Sequence, residues 1–368
     1  MTVHMTSPGE FLTSLPYQIG FYPHRSLVVV MTRDKTVILV ARMDVPEHPV
    51  HADRALDAGC ADLQRQIGAG NLDGAHLALF DDSLLGLAAL VRVGDRLAES
   101  GVTLGLAALV SDGMFRLLGA PDGDWDTLPR PEDCAIVAEL VAQGRSVAPD
   151  RDAAIACLAP CRPPTTAGTE LTARECSVPV HAIGEWRALL ALVPPDEPDP
   201  WQPSPATAIR LSRSLLDRDF RDAMVAGLVP GTLPDSELVE PAATRAARIL
   251  APLHDELDRH RTAGRHVEGS EQPPWHGPDL QRARLREVLE RILTVARLAP
   301  APIAAGPYAV AAILAGRLGE GLVCTGAIEH ALEADPDHVL ANIMADMVAA
   351  GHVPGRPPGT VVQDSGAA

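Results

Sequence analysis

The sequence predicts an α/β sandwich with a mixed sheet, followed by an all-helical domain that ends in a tetratricopeptide-like helix pair. Three observations carry this. The first 159 residues alternate β-branched runs with amphipathic segments in the order β-β-α-β-α-β-α, the pattern of a sheet covered by helices. A proline-dense stretch then interrupts the chain, with "PPDEPDPWQPSP" at its heart. Beyond it, helical periodicity is the rule and no strand-like run occurs.

Each element has a local cause. "TSPGEFLTSL" starts a helix: Ser7 is placed to cap it, Pro8 suits the first helical position and Glu10 completes a capping box. Pro16 is expected to end that helix. "SLVVVMT" is a continuous β-branched run, expected to be a strand buried on both faces, and "VILVARMDV" is its hairpin partner across a short polar break. "HADRALDAGCADLQRQIGAG" has helical spacing through Ala55, Leu56, Leu63 and Ile67. "AHLALFDD" is a strand, "SLLGLAALVRVGDRLAES" a helix and "GVTLGLAALVSDG" a strand, with a hairpin partner near "DGMFRLLG". "PEDCAIVAELVAQG" closes the domain as a helix with Ile136, Val137, Leu140 and Val141 on one face.

The expected division is an α/β domain over 1–159, a Pro-rich linker with one helix ("GEWRALLALV") over 160–206, a helical domain over 207–352 and a disordered tail over 353–368. The arginine-rich "LQRARLREVLERIL" is interrupted by Glu287 and Glu290 and is expected to be a solvated helix face. Near the end, Leu322, Val323, Ala327, Ile328, Ala331 and Leu332 form one apolar stripe. Asp335 is expected to cap the next helix, with Pro336 at its first position. That helix carries a second stripe of Val339, Leu340, Ile343, Met344, Met347 and Val348. A repeat array needs about three such units; no second copy is evident, so a helical pair packed on its own domain is the favoured reading.

Composition excludes several roles. The chain of 368 residues is 46% apolar but only 3% aromatic, so its core is built from Ala, Leu, Val and Ile. Its formal net charge of −17, with Lys35 the single lysine, opposes binding to nucleic-acid phosphates and anionic lipid. No apolar run approaches the ~18 residues of a membrane helix, and "MTVHMTSPGEF" lacks the pattern of a signal peptide. Scattered cysteines point to a reducing cytoplasm.

"GFYPHRSLVVV", "AELVAQGRSVAPDRDAAIACLAP" and "PYAVAAILAGRLGEGLVCTGAIEHALEADPDHVLANIMADMVAAG" together resemble the domain-of-unknown-function family numbered 4192, found in high-GC Gram-positive bacteria. The resemblance runs from about Phe11 to Gly351. It implies kinship without a transferable activity or cofactor. Relatives often carry an arginine–aromatic–cysteine run with paired cysteines after the fourth strand. Here the region reads "GMFRLLGAPDGDWDTLPRPED", keeping Arg116 but with no cysteine before Cys134, so a metal or redox role resting on those cysteines does not carry over.

Candidate chemistry is sparse. Asp81 and Asp82 follow a strand and precede a helix, where paired carboxylates can bind a metal or act as acid and base; the same position suits a helix cap. Asp112 follows the next strand and joins them if the two strands are parallel neighbours. Arg25 and Ser26, with His24, sit at the entry to the first strand. Ligands usually lie beyond the carboxyl ends of strands, which argues for a turn there. Arg145 and Arg151 flank "SVAPD" and could bind an anion, against the alternative of surface ion pairing. Gly68, Gly70 and Gly74 precede a strand and so fail the context of a dinucleotide fingerprint. Cys157, Cys161, Cys176 and His181 have spacings within zinc range, but Cys157 falls on an expected helix and no second tight pair exists, so no metal site is assigned. His254 and His260 fall on different faces of a helix. The leading expectation is a cytosolic, non-catalytic binding or regulatory protein that docks a protein partner on its C-terminal helices. The alternative is a carboxylate- or metal-dependent hydrolase or transferase with its site at the strand ends.

Overall fold

The computed structural model describes residues 7–34, 36–45, 72–119, 124–142, 144–161, 179–191, 201–263 and 278–349, together with helical positions between 56 and 67. The chain divides into two compact units, one from Met1 to Ala156 and one from Cys157 to Pro357. Most of the Pro-rich stretch, Cys176 and the C-terminal tail lie outside the described residues, as do Gly68 and Gly70 of the glycine run.

The first unit is a mixed α/β sandwich. Helix α1 (Pro8–Ile19) starts where the sequence says: the Ser7 hydroxyl accepts from the Glu10 N–H and Pro8 opens the first turn. It does not stop at Pro16. The Pro16 carbonyl still accepts from the Gly20 N–H at 2.7 Å, and Gly20 closes the helix in a left-handed conformation (φ 99°). Proline removes one bond to the preceding turn, but burial of Leu12, Leu15 and Pro16 holds the helix across that gap.

The sheet contains β1 (Ser26–Arg33), β2 (Thr36–Asp44), β3 (Gly74–Phe80), β4 (Thr103–Ser111), β5 (Met114–Leu117) and β6 (Asp126–Thr127), in the order β2-β1-β3-β4-β5-β6. β1 is antiparallel to both neighbours, β2 and β3; β3 and β4 are parallel; β5 returns antiparallel. As its β-branched run requires, β1 is buried on both faces. Leu27, Val29 and Met31 pack on one side with Leu77, Leu79 and helix α2 (Leu84–Glu99). Val28 and Val30 pack on the other with Phe11, Leu12 and Leu15 of α1. Helices α3 (Ala135–Ala142) and α4 (Arg151–Ala156) complete the unit. The apolar face of α3 centres on Val137, while Val141 is exposed.

The second unit is all helical among its described residues: α5 (Ile183–Leu190), α6 (Pro205–Ser214), α7 (Arg218–Leu228), α8 (Ala242–Ala263), α9 (Pro278–Leu298), α10 (Ala305–Leu318), α11 (Gly321–Ala334) and α12 (Val339–Ala349). Helix α10 is buried almost all round, from Ala305 to Gly316, which makes it the centre of this unit. Helix α11 packs mainly on α10 and less on α12.

Four expectations here are corrected. The arginine-rich helix is α9, and it is no solvated face. Arg284 and Arg291 are buried. Arg291 donates to the Leu189 and Ala191 carbonyls at 2.7 and 3.0 Å and pairs with Glu287, and Arg284 pairs with Glu256 and Glu287. The open carbonyls at the end of α5 supply acceptors that make burial tolerable. The cap of α12 is His338, not Asp335. The Asp335 carboxylate instead accepts from the Asp337 N–H, and the helix begins at Val339 rather than Pro336. Within the second stripe, only Met344 is buried, joined by Ala341, while Val339 and Ile343 face outward. The helix ahead of Cys157 ends at Ala156, leaving that thiol exposed.

Candidate site at the strand ends

The parallel pairing of β3 with β4 sets Leu79 beside Leu109, so Asp81 and Asp82 leave the sheet at the same edge as Asp112. The antiparallel pairing of β1 with β3 sets Ser26 beside Phe80. The amino end of β1 therefore lies at the carboxyl edge of its neighbours. Because β1 runs opposite to β3, the His24–Arg25–Ser26 turn lies at the edge where those carboxylates leave the sheet.

A cleft of about 480 Å³ opens along this edge. Its apolar lining comes from Leu12 and Pro16 of α1, Phe80 and Val110. Its polar groups are His24, Asp81, Asp82, Asp112 and Arg130, with Thr13, Tyr22 and Ser111. The far wall is the segment following β6, anchored where the Thr13 hydroxyl donates to the Pro129 carbonyl at 3.1 Å and the Leu128 N–H donates to the Gly113 carbonyl at 2.9 Å.

The carboxylates differ in what they do. Asp81 is half-buried and committed to structure. One oxygen accepts from the Ser83 N–H at 3.1 Å and the other from the Ser83 hydroxyl at 2.6 Å. That hydroxyl in turn accepts from the Gly86 N–H at 3.0 Å, capping α2. Asp82 is exposed. Asp112 is also exposed and forms, with Gly113, the two-residue loop between the paired Ser111 and Met114. Both loop residues have positive φ, 50° and 74°, as a type I′ hairpin requires and as Asp-Gly supplies. Among the described residues, no three His, Cys, Asp or Glu side chains are grouped to hold a metal ion. The three carboxylates thus share a cleft without sharing a coordination geometry.

Ser26 is fully buried; its hydroxyl donates to the His24 carbonyl at 2.8 Å and accepts from Arg42 Nε at 2.9 Å. Arg25 adopts φ 46°, and its carbonyl accepts from the Val45 N–H at 2.8 Å. Both hold the turn. Arg145 and Arg151 belong to a corner in which Ala148 exchanges backbone bonds with Gly20 and Tyr22 and Asp150 caps α4. Arg25, Ser26, Arg145 and Arg151 are not in the lining of the cleft. Of the zinc-spaced set, the Cys161 N–H donates to the Arg297 carbonyl and His181 Nδ1 accepts from Arg245 at 2.8 Å. His254 Nε2 bonds the Gly227 carbonyl at 2.8 Å.

Sequence reasoning missed Tyr22, Arg130 and Thr13 as cleft residues. The turn-forming "FYPHR" was a usable signal for Tyr22; nothing local marks Arg130, whose place depends on β6 pairing with β5.

A mixed sheet with a polar cleft at the ends of its parallel strands, joined in one chain to a helical unit, defines an α/β plus all-α protein with a ligand-sized strand-end opening. The chain belongs to the family described as Domain of unknown function (DUF4192), which matches residues 8–355. No curated protein and no solved structure matches it.

Proposed function

We propose that the first unit is a non-catalytic small-molecule-binding module, acting in the cytoplasm, whose ligand sits in the strand-end cleft. The observation that carries this reading is the convergence of His24, Asp82, Asp112 and Arg130 on one opening of about 480 Å³ with an apolar floor. Small-molecule sites typically measure ~300–1,000 Å³ and combine apolar walls with a few orienting polar groups. Switch points at the carboxyl ends of α/β strands are where such ligands bind. Asp82 and Asp112 are exposed acceptors, suited to hydroxyl or amine donors on a compact ligand with an apolar body.

The bonding of Asp81 favours binding over catalysis: the hydroxyl–carboxylate pair of Ser83 with Asp81 at this edge is engaged in capping a helix. Cytoplasmic location is supported by the free thiols of Cys60, Cys134, Cys161 and Cys324. Partner docking on α11 and α12, the sequence expectation, has weaker support because α11 spends its small-residue face on α10.

The test is to purify the full chain from its own host, denature it and identify released small molecules by mass spectrometry. The comparison is Asp82→Asn/Asp112→Asn, which keeps a residue tolerant of positive φ in the turn. A compound released stoichiometrically by the wild type and lost from the variant is the expected result. Equal release from both, no release from either, or chemical turnover of the compound by the protein would overturn the proposal.

A further inference from the structure

The N-terminus of α12 is capped by an imidazole. His338 Nδ1 accepts from the Ala341 N–H at 3.2 Å, and the His338 carbonyl accepts the first intrahelical bond from the Asn342 N–H at 3.0 Å. This is the geometry of an N-cap, with a ring nitrogen where a Ser or Asp oxygen usually stands. A ring nitrogen can accept only while it carries no proton. The cap therefore exists only for neutral His338 with its proton on Nε2.

We propose that His338 is an acid-released latch on α12: neutral, it closes the first turn of the helix, and protonated, it opens it. Protonation acts twice in the same direction. It replaces the acceptor facing the Ala341 N–H with a second donor. It also places a positive charge at the positive end of the helix dipole.

The charges acting on the ring come from two elements. Arg221 of α7, itself buried and bonded to Asp222, disfavours the imidazolium. Asp335, in the turn between α11 and α12, favours it. Burial of the ring is the larger effect and Arg221 adds to it, so the ring holds its neutral form below the usual histidine range and the latch opens in mild acid rather than at neutrality. The Asn342 side chain also ties that turn, donating to the Pro336 and His338 carbonyls at 2.9 and 3.2 Å, but neither bond uses the ring, and tertiary packing adds little. Val339 and Ile343 are about half exposed, and only Ala341 and Met344 are buried on this helix. The opening is thus local to α12 and leaves the buried helix α10 in place.

The test is hydrogen exchange on the full chain at pH 7.5, at pH 5.0 and at steps between, expressed as protection factors for α12 relative to α11, with the His338 ring titrated by NMR. The wild type should lose about five- to tenfold in protection over the first turn of α12 on acidification, from the loss of a cap and the added dipole penalty. The midpoint should match the ring titration. His338→Asn, a capping residue that does not titrate, should keep its protection at both pH values, and His338→Ala should show the acid-like value at both. A pH-independent ratio in the wild type, a midpoint displaced from the ring titration, or the same acid loss in His338→Asn would overturn the latch. If a variant fails to fold, the wild-type comparison of midpoints decides alone.

Discussion

Replacing Asp81 by alanine separates the structural carboxylate of the cleft from the ones available to a ligand. In the native protein its two oxygens accept from the Ser83 N–H and hydroxyl, and through Ser83 they secure the N–H of Gly86 at the start of α2. A hydrogen bond to a charged group contributes about 1.5–3 kcal/mol, and a carboxylate at a helix N-terminus a further 0.3–1 kcal/mol or so. Asp81 is half-buried, so water recovers part of the loss. The expected destabilisation is about 1–2 kcal/mol, or about five- to thirtyfold faster opening of α2. Hydrogen exchange resolved to α2 reads this without contribution from the second unit. Gly86→Ala offers an independent route to the same effect, because its Cβ would fall 2.6 Å from Asp81 Oδ2 and displace the carboxylate. Asp82→Ala, an exposed substitution, should stay within about 0.5 kcal/mol of the wild type. The reasoning is refuted if Asp81→Ala leaves α2 protection unchanged while abolishing ligand retention, since Asp81 would then contact the ligand instead of the helix.

Three further outcomes are expected. Burial lowers the affinity of His76 for a proton below the ordinary value of 6.5. The unfolded chain then binds the proton more readily, so this contribution to stability is complete above pH 6.5 and declines as pH falls through 6.5 toward the lowered native value. Urea unfolding of wild type and His76→Gln between pH 7.5 and 5 should converge in acid, and parallel curves would contradict the assignment. Gly105→Ala should cost about 1–3 kcal/mol by overpacking, because the new Cβ would lie 2.5 Å from His76 Cε1. The double variant with His76→Ala should recover part of that in a mutant cycle by thermal unfolding. Arg291→Met should destabilise the second unit by about 3 kcal/mol or more, since it strands two carbonyls and loosens Glu287. Arg291→Lys should fail to restore it in chemical denaturation, because a single ammonium lacks the fork that reaches all three acceptors.

Local chemistry made much of this fold legible in the sequence. Ser7-Pro8 starts α1, the β-branched run of β1 predicts its two-sided burial, and Asp112-Gly113 encodes a type I′ hairpin. Each signal is contained within a few residues. What escaped reading depends on distant partners. Nothing in "SLVVV" says that its neighbour β3 runs the opposite way, and that direction alone brings His24 to the carboxylates. Helix α10 has no polar face to betray its period because it is buried on every side. The arginines of α9 look solvated until the carbonyls of Leu189 and Ala191 are found beside Arg291. Asp335 has the right chemistry to cap α12, yet the turn extends three residues further and gives the role to His338.

The most direct measurement is a hydrogen-exchange footprint of the full chain with and without the compound it releases on denaturation. Binding should slow exchange in the segments that line the cleft, 12–16, 22–24, 80–82, 110–113 and 128–131, and leave α10 and α11 unchanged. Protection confined to the helical unit, or none at all in those five segments, would contradict a ligand site at the ends of β1, β3 and β4.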